Sequence, residues 1–394
     1  MLSPDPDLVK PVVFPAGESA TNEQLRHLLG SEAVVDHVSG DILDLFRLDF
    51  PYLAPESPEF QTTLDRYRAR YPQTSPTIDN WGVWVHFPWR RTIVHLPSRE
   101  DFFRLRTARN LFLIEPDEQA RFYGSSVALA GLSVGSSVLH TLVLSGGPSN
   151  LHLADSDTLA TVNLNRLHAS VCDLGTRKLD LAARRAYELD PFLQILGWPE
   201  GLSPHTLERF LGGDRPVDLF IEEMDDLYMK IHSRLEARRR EIPVVMATDN
   251  GDNVIVDVER FDLEPGRPLF HGSVNETALA TIPTSPNLAE RVRIAAQIVG
   301  PAITPRTQYA VQAVGTRIPT WPQLGNAATL SGAVVSYVAR RILTGQSMPS
   351  GRYHVNLDAL LDVDFDQPAA VAARNEAAED FLLGLRQIFG VELR

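Results

Sequence analysis

Two apolar segments within residues 127–166 end in side chains that suit a nucleotide. The first runs into a turn of small residues that includes Gly131, Ser133 and Gly135. Free backbone amides at a tight turn before a helix favour anions such as phosphates. The second segment ends in Asp155 and Asp157, and an acid at that place in the next strand is positioned to accept ribose hydroxyls. The residue types and their order therefore predict a nucleotide site.

The surrounding sequence supplies the elements that would hold this site. Helical periodicity over 177–189 and up to residue 240 alternates with apolar, strand-like runs at 193–196, 217–226 and 242–250. This alternation predicts an α/β fold of the Rossmann-like, doubly wound type, with a mostly parallel sheet. Such sheets bind ligands at the carboxyl ends of their strands, where Gly131, Asp155 and Asp225 would meet.

The flanking sequence predicts an additional region on each side. Residues 1–105 are expected to form an amino-terminal accessory region with a helix at 22–29, short helix and coil over 31–75, and a hairpin at 81–97. A further helix is predicted to start at Ser98, because Asp101 three residues on completes a capping signature. Residues 106–262 would bind the nucleotide. Residues 263–394 would form a C-terminal α/β extension for substrate and dimer contacts, with helices at 287–299 and 371–389, a strand pair in 351–365, and a substrate cavity near His271, Arg306 and Trp321.

Composition narrows the class of partner. Fifty acidic and 37 basic residues among 394 give a formal net charge of −13, which argues against a general binder of nucleic acids or anionic membranes. Cys172 is the only cysteine, so the sequence offers neither an intrachain disulfide nor a paired-cysteine zinc site. A lone thiol and the lack of a membrane-length apolar run predict a protein of the reducing cytoplasm, without structural zinc. Cys172 itself is expected to be a small packing residue.

The combination of motifs resembles the ThiF/MoeB group, the bacterial relatives of ubiquitin-activating enzymes. After the glycine turn come LADSDTLATVNLNR, LGTRK, DLFIEEMDD and PVVMATDN. These are similar, in the same order, to the group's patterns GxGGxGS, DxDxxxxSNLNRQ, GxxK and DxxxDxTDN, over about residues 106–262. The segment WVHFPWRR is similar to the amino-terminal part of a poorly characterised bacterial ThiF-like subgroup. The resemblance implies a Rossmann-like fold that uses ATP and Mg²⁺.

The resemblance also implies a role for each matching residue. Asp155, with Asp157 beside it, would bind the ribose of ATP. Asn163, Arg166 and Lys178 would contact phosphate oxygens. Asp225 would hold Mg²⁺ near the leaving pyrophosphate, with three neighbouring acids as alternatives, Glu222, Glu223 and Asp226. Arg109 would reach the nucleotide of the neighbouring subunit in a homodimer, with Arg104 and Arg106 as alternatives.

The implied reaction is attack by a substrate carboxylate on the α-phosphate of ATP, which gives an acyl-adenylate and pyrophosphate. The carboxylate would belong to a small molecule, a peptide or a carrier-protein C-terminus. Ser133 and Val162 depart from the group's pattern, and no cysteine follows the nucleotide region to carry a thioester. Two alternatives stay open. A non-catalytic peptide-binding or scaffold subunit would explain the departures, and an NAD-dependent oxidoreductase would explain the glycine turn but not NLNR, GxxK or the Met224-Asp225-Asp226 segment.

Overall fold

The computed structural model describes residues 8–15, 22–70, 81–276, 282–284 and 286–389. Its amino-terminal elements are β1 (Val12–Pro15), α1 (Glu23–Ser31), β2 (Ala33–Asp36), α2 (Val38–Asp49), α3 (Pro58–Arg68), β3 (Val83–Phe87), β4 (Thr92–Leu96), α4 (Arg99–Arg106) and α5 (Pro116–Gly124). The central elements are β5 (Ser126–Ala130), α6 (Val134–Leu144), β6 (Asn150–Ala154), α7 (Lys178–Leu189), β7 (Gln194–Trp198), α8 (Leu207–Phe210), β8 (Leu219–Glu222), α9 (Leu227–Arg239), β9 (Val244–Asn250) and β10 (Asn253–Glu259). The last elements are α10 (Leu288–Val299), α11 (Pro305–Ala313), α12 (Gly325–Leu343), β11 (Gly351–Val355), α13 (Leu357–Leu361) and α14 (Pro368–Phe389).

A seven-stranded sheet forms the centre of the molecule, in the order β11-β10-β9-β8-β5-β6-β7. The five strands from β9 to β7 are parallel, whereas β10 and β11 are antiparallel additions at one edge. The chain first runs outward from β5 through β6 to β7 and then returns to β8 on the other side of β5. This is a Rossmann-like, doubly wound α/β sheet, so the predicted fold class is confirmed. The strand order reverses between β5 and β8, which is where such folds bind ligands.

Apolar cores lie on both faces of this sheet, as expected for parallel strands built from apolar runs. One core joins the sheet to α6, α7 and α12 and contains Val138, Ala183 and Val335. The other joins it to α8 and α9 and contains Phe210 and Ile231. Helices α12 and α6 cross closely. A Cβ on Gly332 would lie only 2.6 Å from the Ser137 carbonyl oxygen, so only glycine fits at this crossing. Within the described residues, no helix is long and apolar enough to span a bilayer.

The smaller sheet has the order β1-β3-β4-β2. The predicted hairpin is confirmed, since β3 and β4 are antiparallel, and Ser98 caps α4 by accepting a hydrogen bond from the Asp101 amide at 3.2 Å. Of the region expected to be helix and coil, 31–75, residues 71–75 lie outside the described residues. Over 31–70 the expectation was incomplete, because β2 joins this sheet parallel to β4. All four residues of β2 are exposed, so the strand lacks the alternating burial that marks half-buried strands.

The C-terminal extension differs from its prediction in one place. The segment 351–365 forms one strand, β11, followed by α13, and not a strand pair. Asn356 starts the helix by accepting a hydrogen bond from the Ala359 amide at 3.0 Å, which is ordinary capping chemistry. The helices predicted at 287–299 and 371–389 are present as α10 and α14.

Candidate nucleotide-binding site

The glycine turn between β5 and α6 lies against the end of β8. Gly131 has a φ of +89°, and a Cβ there would lie 2.4 Å from the Glu223 carbonyl oxygen. A Cβ on Gly135 would lie 2.8 Å from a methyl carbon of Leu129. Gly131 is thus required for β5 to approach the end of β8, whatever binds at the turn, because its φ is positive and its close neighbour is backbone. The structure places this turn at the reversal point of the sheet.

Asp155 follows β6 and is joined to the glycine turn. One carboxylate oxygen accepts a hydrogen bond from the Leu132 amide at 2.6 Å, and the other accepts one from the Asp157 amide at 2.8 Å. Burial raises the pKa of Asp155, while these two hydrogen bonds oppose the rise. Each oxygen keeps a second acceptor position, so the carboxylate can still receive a ribose hydroxyl.

Lys178 begins α7 and is buried, with 6% of its side chain exposed. Its ammonium Nζ lies 2.7 Å from Asp157 Oδ2, and its backbone amide donates to the Asp157 carbonyl at 2.9 Å. The resemblance implied that this lysine contacts phosphate oxygens. In this structure the lysine is fixed in place by an aspartate whose own side chain is 68% exposed, so a phosphate that reached Lys178 would have to share this pair or displace Asp157.

Arg166 extends over the glycine turn. Its Nε donates to Ser133 Oγ at 3.0 Å, and its Nη1 donates to the Val162 carbonyl at 3.1 Å and to Asn165 Oδ1 at 3.0 Å. The residue that departs from the group's glycine pattern, Ser133, is therefore an acceptor that orients the guanidinium. Asn163 is turned into its own loop, where its Oδ1 accepts from the Ala160 amide at 2.9 Å.

Four acids follow one another at the end of β8, and their contacts separate them. Glu222 is buried and pairs with Lys230 and Arg234. Glu223 accepts a hydrogen bond from the Ala247 amide at 2.9 Å, and burial raises its pKa well above the ordinary value. Asp226 caps α9. Asp225 is exposed and makes no hydrogen bond or ion pair within the described ranges, which leaves its carboxylate available.

Asp249, at the end of β9, was missed by the sequence reasoning. Its carboxylate accepts hydrogen bonds from Ser331 Oγ at 3.0 Å and from Gln323 Nε2 at 3.4 Å. Asp225 and Asp249 both act electrostatically on Arg166, raising its pKa against the lowering caused by burial. The strand-end rule that selected Asp225 applies equally to β9 and would have found Asp249.

The start of α12 closes this side of the site. Asn165 Nδ2 donates to the Gln323 carbonyl at 2.7 Å. A Cβ on Gly325 would lie 2.5 Å from the Asn165 carbonyl oxygen, so the helix begins in direct contact with the segment that carries Arg166. The loop after β6 and the start of α12 thus position Arg166 and Asp249 together.

Asp249 is expected to make stability depend on pH. Burial raises its pKa to about 6, from an ordinary value of 3.8, against the opposing effects of Ser331 and Arg166. A carboxyl whose pKa is raised by folding stabilises the folded protein at low pH, where it is protonated. This stabilisation is lost as the pH rises through about 6. The free energy of unfolding should fall by about 3 kcal/mol as a result. The asparagine of Asp249→Asn cannot ionise. The free energy of unfolding of the variant minus that of wild type should therefore increase by about 3 kcal/mol between pH 4 and pH 7. Urea unfolding at both pH values measures this, and parallel pH curves would contradict it.

The three candidate arginines before the site differ in their contacts. Arg106 donates to the Val143 carbonyl at 2.6 Å and pairs with Asp190 at 3.3 Å. Arg104 pairs with Asp49 at 2.6 Å and with Asp101 at 3.2 Å. Arg109 is exposed and has no hydrogen bond or ion pair in the described part of the chain.

The expectation that Cys172 packs in the interior was wrong, because its side chain is exposed. It lies in the short 3₁₀ turn Val171–Asp173, where its backbone amide donates to Ser170 Oγ at 3.1 Å. The apolar periodicity that buries α7 starts only after this connecting turn, so no core surface reaches the thiol.

Comparison with known proteins gives a family for this arrangement. The ThiF family matches residues 107–276. The chain is 35% identical over 351 residues to the uncharacterized protein MT1398 of Mycobacterium tuberculosis (strain CDC 1551 / Oshkosh). This alignment covers 87% of this chain and 48% of the relative. It is 28% identical over 166 residues to tRNA threonylcarbamoyladenosine dehydratase of Bacillus subtilis (strain 168), which covers 40% of this chain and 64% of the relative. The chain thus spans about half to two thirds of the length of these curated relatives.

Solved structures show more distant similarity. PaaA is 17% identical with a TM-score of 0.46, and the match covers 85% of this chain and 87% of that chain. E. coli TcdA, a tRNA N6-threonylcarbamoyladenosine dehydratase, is 17% identical with a TM-score of 0.44, and the match covers 61% of this chain and 95% of that one. Similarity at this level carries no argument about function. The family match does not depend on it: residues 107–276, which contain the glycine turn, Asp155, Arg166 and Asp225, belong to the ThiF family.

Proposed function

We propose that the protein activates a carboxylate by ATP-dependent adenylation. The observation that supports this most directly is the convergence of Asp155, Arg166 and Asp225 around the glycine turn, at the reversal point of a ThiF-family sheet. In the reaction a carboxylate oxygen forms a bond to the α-phosphorus of ATP, and the bond from that phosphorus to the pyrophosphate oxygen breaks. The products are an acyl-adenylate and pyrophosphate. No protein nucleophile is required, so catalysis rests on positioning and on charge compensation.

Each of these side chains has a defined part in the proposal. Asp155 accepts the ribose hydroxyls and fixes the nucleoside. Arg166, held by Ser133, Val162 and Asn165, directs its remaining donors toward phosphate oxygens, for which a planar guanidinium is well suited. Lys178 contributes a positive charge that Asp157 holds close to the turn.

Mg²⁺ would enter this site together with ATP. Within the described residues, no group of three or more His, Cys, Asp or Glu side chains is arranged to hold a metal ion. An exposed single carboxylate at Asp225 fits Mg²⁺, which usually keeps several waters and binds one or two carboxylates plus substrate phosphates. When bound, Mg²⁺ would neutralise charge that develops on the leaving pyrophosphate. Asp225 would hold the ion beyond the end of β8, within electrostatic reach of Arg166.

The substrate carboxylate is proposed to belong to a small molecule, a peptide or a carrier-protein C-terminus, and the adenylate to pass to a nucleophile other than a cysteine of this chain. The Bacillus subtilis relative is by its name a dehydratase. Adenylation turns a carboxylate into an electrophile. When a nucleophile then displaces AMP, the carboxylate and the nucleophile have been joined with net loss of water, so the proposed reaction is compatible with a dehydratase. The net charge of −13 favours acceptors other than nucleic acid.

ATP–pyrophosphate exchange across a panel of carboxylates tests this function. We expect labelled pyrophosphate to enter ATP only when a suitable carboxylate is present, because exchange requires reversible formation of the adenylate. The measurement should include short peptides with free C-termini and their C-terminal amides, which cannot be adenylated. Exchange with the amides, or ATP binding with no exchange for any carboxylate, would contradict the proposal.

A non-catalytic nucleotide-binding protein is the second candidate. The specific observation in its favour is that two of the residues implied to contact phosphate, Asn163 and Lys178, are engaged by the fold itself. Calorimetry with ATP, AMP and NAD separates the candidates, since ATP or AMP binding without exchange favours this reading. Preference for NAD would favour an oxidoreductase.

We also propose that the protein acts as a homodimer in which Arg109 serves the partner's site. Its side chain is exposed, and Arg109 lies three and four residues before Phe112 and Leu113, which are each 83% exposed. An apolar pair beside an unpaired arginine suits an interface between copies. Arg109→Ala should therefore lower ATP–pyrophosphate exchange while leaving the melting temperature unchanged.

Mixing experiments give this prediction its control. Arg109→Ala and Asp225→Asn should each show strongly reduced exchange when assayed alone. A mixture that forms hybrid dimers should regain activity, because one of its two sites would be intact. No recovery in hybrids, or a monomeric mass by light scattering, would contradict the assignment.

A further inference from the structure

A cavity of about 240 Å³ lies apart from the glycine turn. It opens to solvent and is bordered by the turn between β9 and β10, the start of α11, the end of β11 and the side of α14. Its polar and aromatic lining includes Asn253, Gln308, His354, Asp358, Phe365 and Arg374. It shares no residue with the nucleotide site described above. The residues His271, Arg306 and Trp321, expected to mark a substrate cavity, do not line it.

Gln308 lines this cavity and carries an acceptor oxygen that the fold does not use. The residue is 4% exposed. Its Nε2 donates to the Ile303 carbonyl at 3.1 Å and to the Pro301 carbonyl at 3.4 Å, which fixes the orientation of the amide. Its Oε1 is buried without a hydrogen-bond partner. A buried oxygen of this kind costs folding free energy unless it receives a donor, so a ligand N–H is the expected partner.

Arg374 gives the cavity a positive charge that can bind an anionic group of a ligand. Its guanidinium lies 3.8 Å above the ring of Phe365 and forms no ion pair or hydrogen bond within the part of the chain that the structure describes. Burial and the nearby Arg352 lower the pKa of His354, so Arg374 is the cation of the lining at neutral pH. A guanidinium stacked on an aromatic ring keeps its edge free for a carboxylate.

Asp358 gives the cavity an anion that is not paired with Arg374. One of its oxygens accepts a hydrogen bond from Asn253 Nδ2 at 2.9 Å. No ion pair joins Asp358 to Arg374, although both side chains line the same cavity. The cavity therefore offers a positive charge, a negative charge and a buried amide oxygen, each with capacity to bind a ligand.

We propose that this cavity binds a small zwitterion of amino-acid size, whose carboxylate pairs with Arg374 and whose N–H groups are accepted by Gln308 Oε1 and Asp358. The volume is below the range of about 300–1,000 Å³ that is typical of drug-sized ligands, which favours a compact molecule. The site does not depend on the proposed adenylation, because its lining is separate from the glycine turn.

Saturation-transfer NMR on the full chain tests the site, with the standard L-amino acids as probes at millimolar concentration and no ATP. We expect at least one amino acid to bind, and its carboxamide and N-acetyl derivatives to bind less tightly. Arg374→Met should weaken binding of that amino acid about ten- to hundredfold, the effect expected for loss of a charge-assisted contact. Arg374→Lys, which keeps the charge without the planar fork, should fall between wild type and Arg374→Met.

Arg340→Met is the matched control, since Arg340 also lies over an aromatic ring, Tyr337, but does not line the cavity. It should bind the amino acid as wild type does. Gln308→Met should weaken binding without reducing the discrimination against the carboxamide. The proposal is overturned if no amino acid binds wild type, if Arg374→Met binds as tightly as wild type, or if the carboxamide binds as tightly as the parent acid.

Discussion

Arg166→Ala is expected to lower ATP–pyrophosphate exchange by about 100- to 1,000-fold, the loss typical when one oriented donor to a developing charge is removed. In the structure this guanidinium is held over the glycine turn by Ser133, Val162 and Asn165. Because the protein orients it in advance, little rearrangement is needed when phosphate arrives. Arg166→Lys should recover only part of the activity, since a single ammonium cannot match the fork of a guanidinium.

Two variants control this prediction. Arg121→Ala removes an exposed arginine that pairs with Asp117 on α5, and it should leave exchange unchanged. Ser133→Ala keeps Arg166 but removes the acceptor for its Nε, so a smaller loss of about tenfold is expected if orientation matters. Wild-type exchange by Arg166→Ala would exclude the assigned role.

Asp225→Asn should lower exchange by a similar factor and raise the Mg²⁺ concentration needed for half-maximal activity. The side chain is exposed at the end of β8 and near enough to affect the pKa of Arg166, yet it has no hydrogen bond or ion pair among the described residues. A carboxylate in that position is available to a cation delivered with ATP, and an amide is a weaker ligand for Mg²⁺. Activity titrated with Mg²⁺ measures both effects.

The neighbouring acid provides an unusually close control. Asp226 accepts a hydrogen bond from the Met229 amide at 3.0 Å and so caps α9. Asp226→Asn preserves that cap, because asparagine is about as good a capping residue as aspartate. It should therefore keep both melting temperature and exchange. If Asp226→Asn loses activity while Asp225→Asn keeps it, the metal assignment moves by one residue.

The sequence could predict those parts of the site that follow from strand ends. Asp155 and Asp225 each follow an apolar run, and in a parallel sheet that is sufficient to place them at one edge. Arg166 with Ser133, and Asp249 with Ser331, could not be predicted as contacts. They join residues 33 and 82 positions apart, and their distance is set by how the loop after β6 and helix α12 pack, not by any local pattern.

Fold prediction failed where a local signal was weak or ambiguous. Strand β2 is exposed along its whole length, so its sequence carries no burial period. Residues 357–361 are apolar enough to suggest a strand, but the cap at Asn356 decides for a helix. Cys172 was misjudged from residue type, since the exposure of a small side chain depends on the path of its loop.

The close crossing of α12 over α6 also means that an apolar surface of α6 stays uncovered until α12 has been synthesised. Helix α6 is made early, yet the apolar surface around Val138 and Leu142 is covered in part by Val335 and Ala339, from far later in the chain. Contacts between such distant segments form slowly, and apolar surface that waits for its cover is prone to aggregation. A nascent chain that ends before residue 325 would present this surface to the cell, and Asp249 would lack Ser331. We expect the nucleotide pocket to mature only after α12 has docked, which makes protection of the growing chain a requirement for making the active protein.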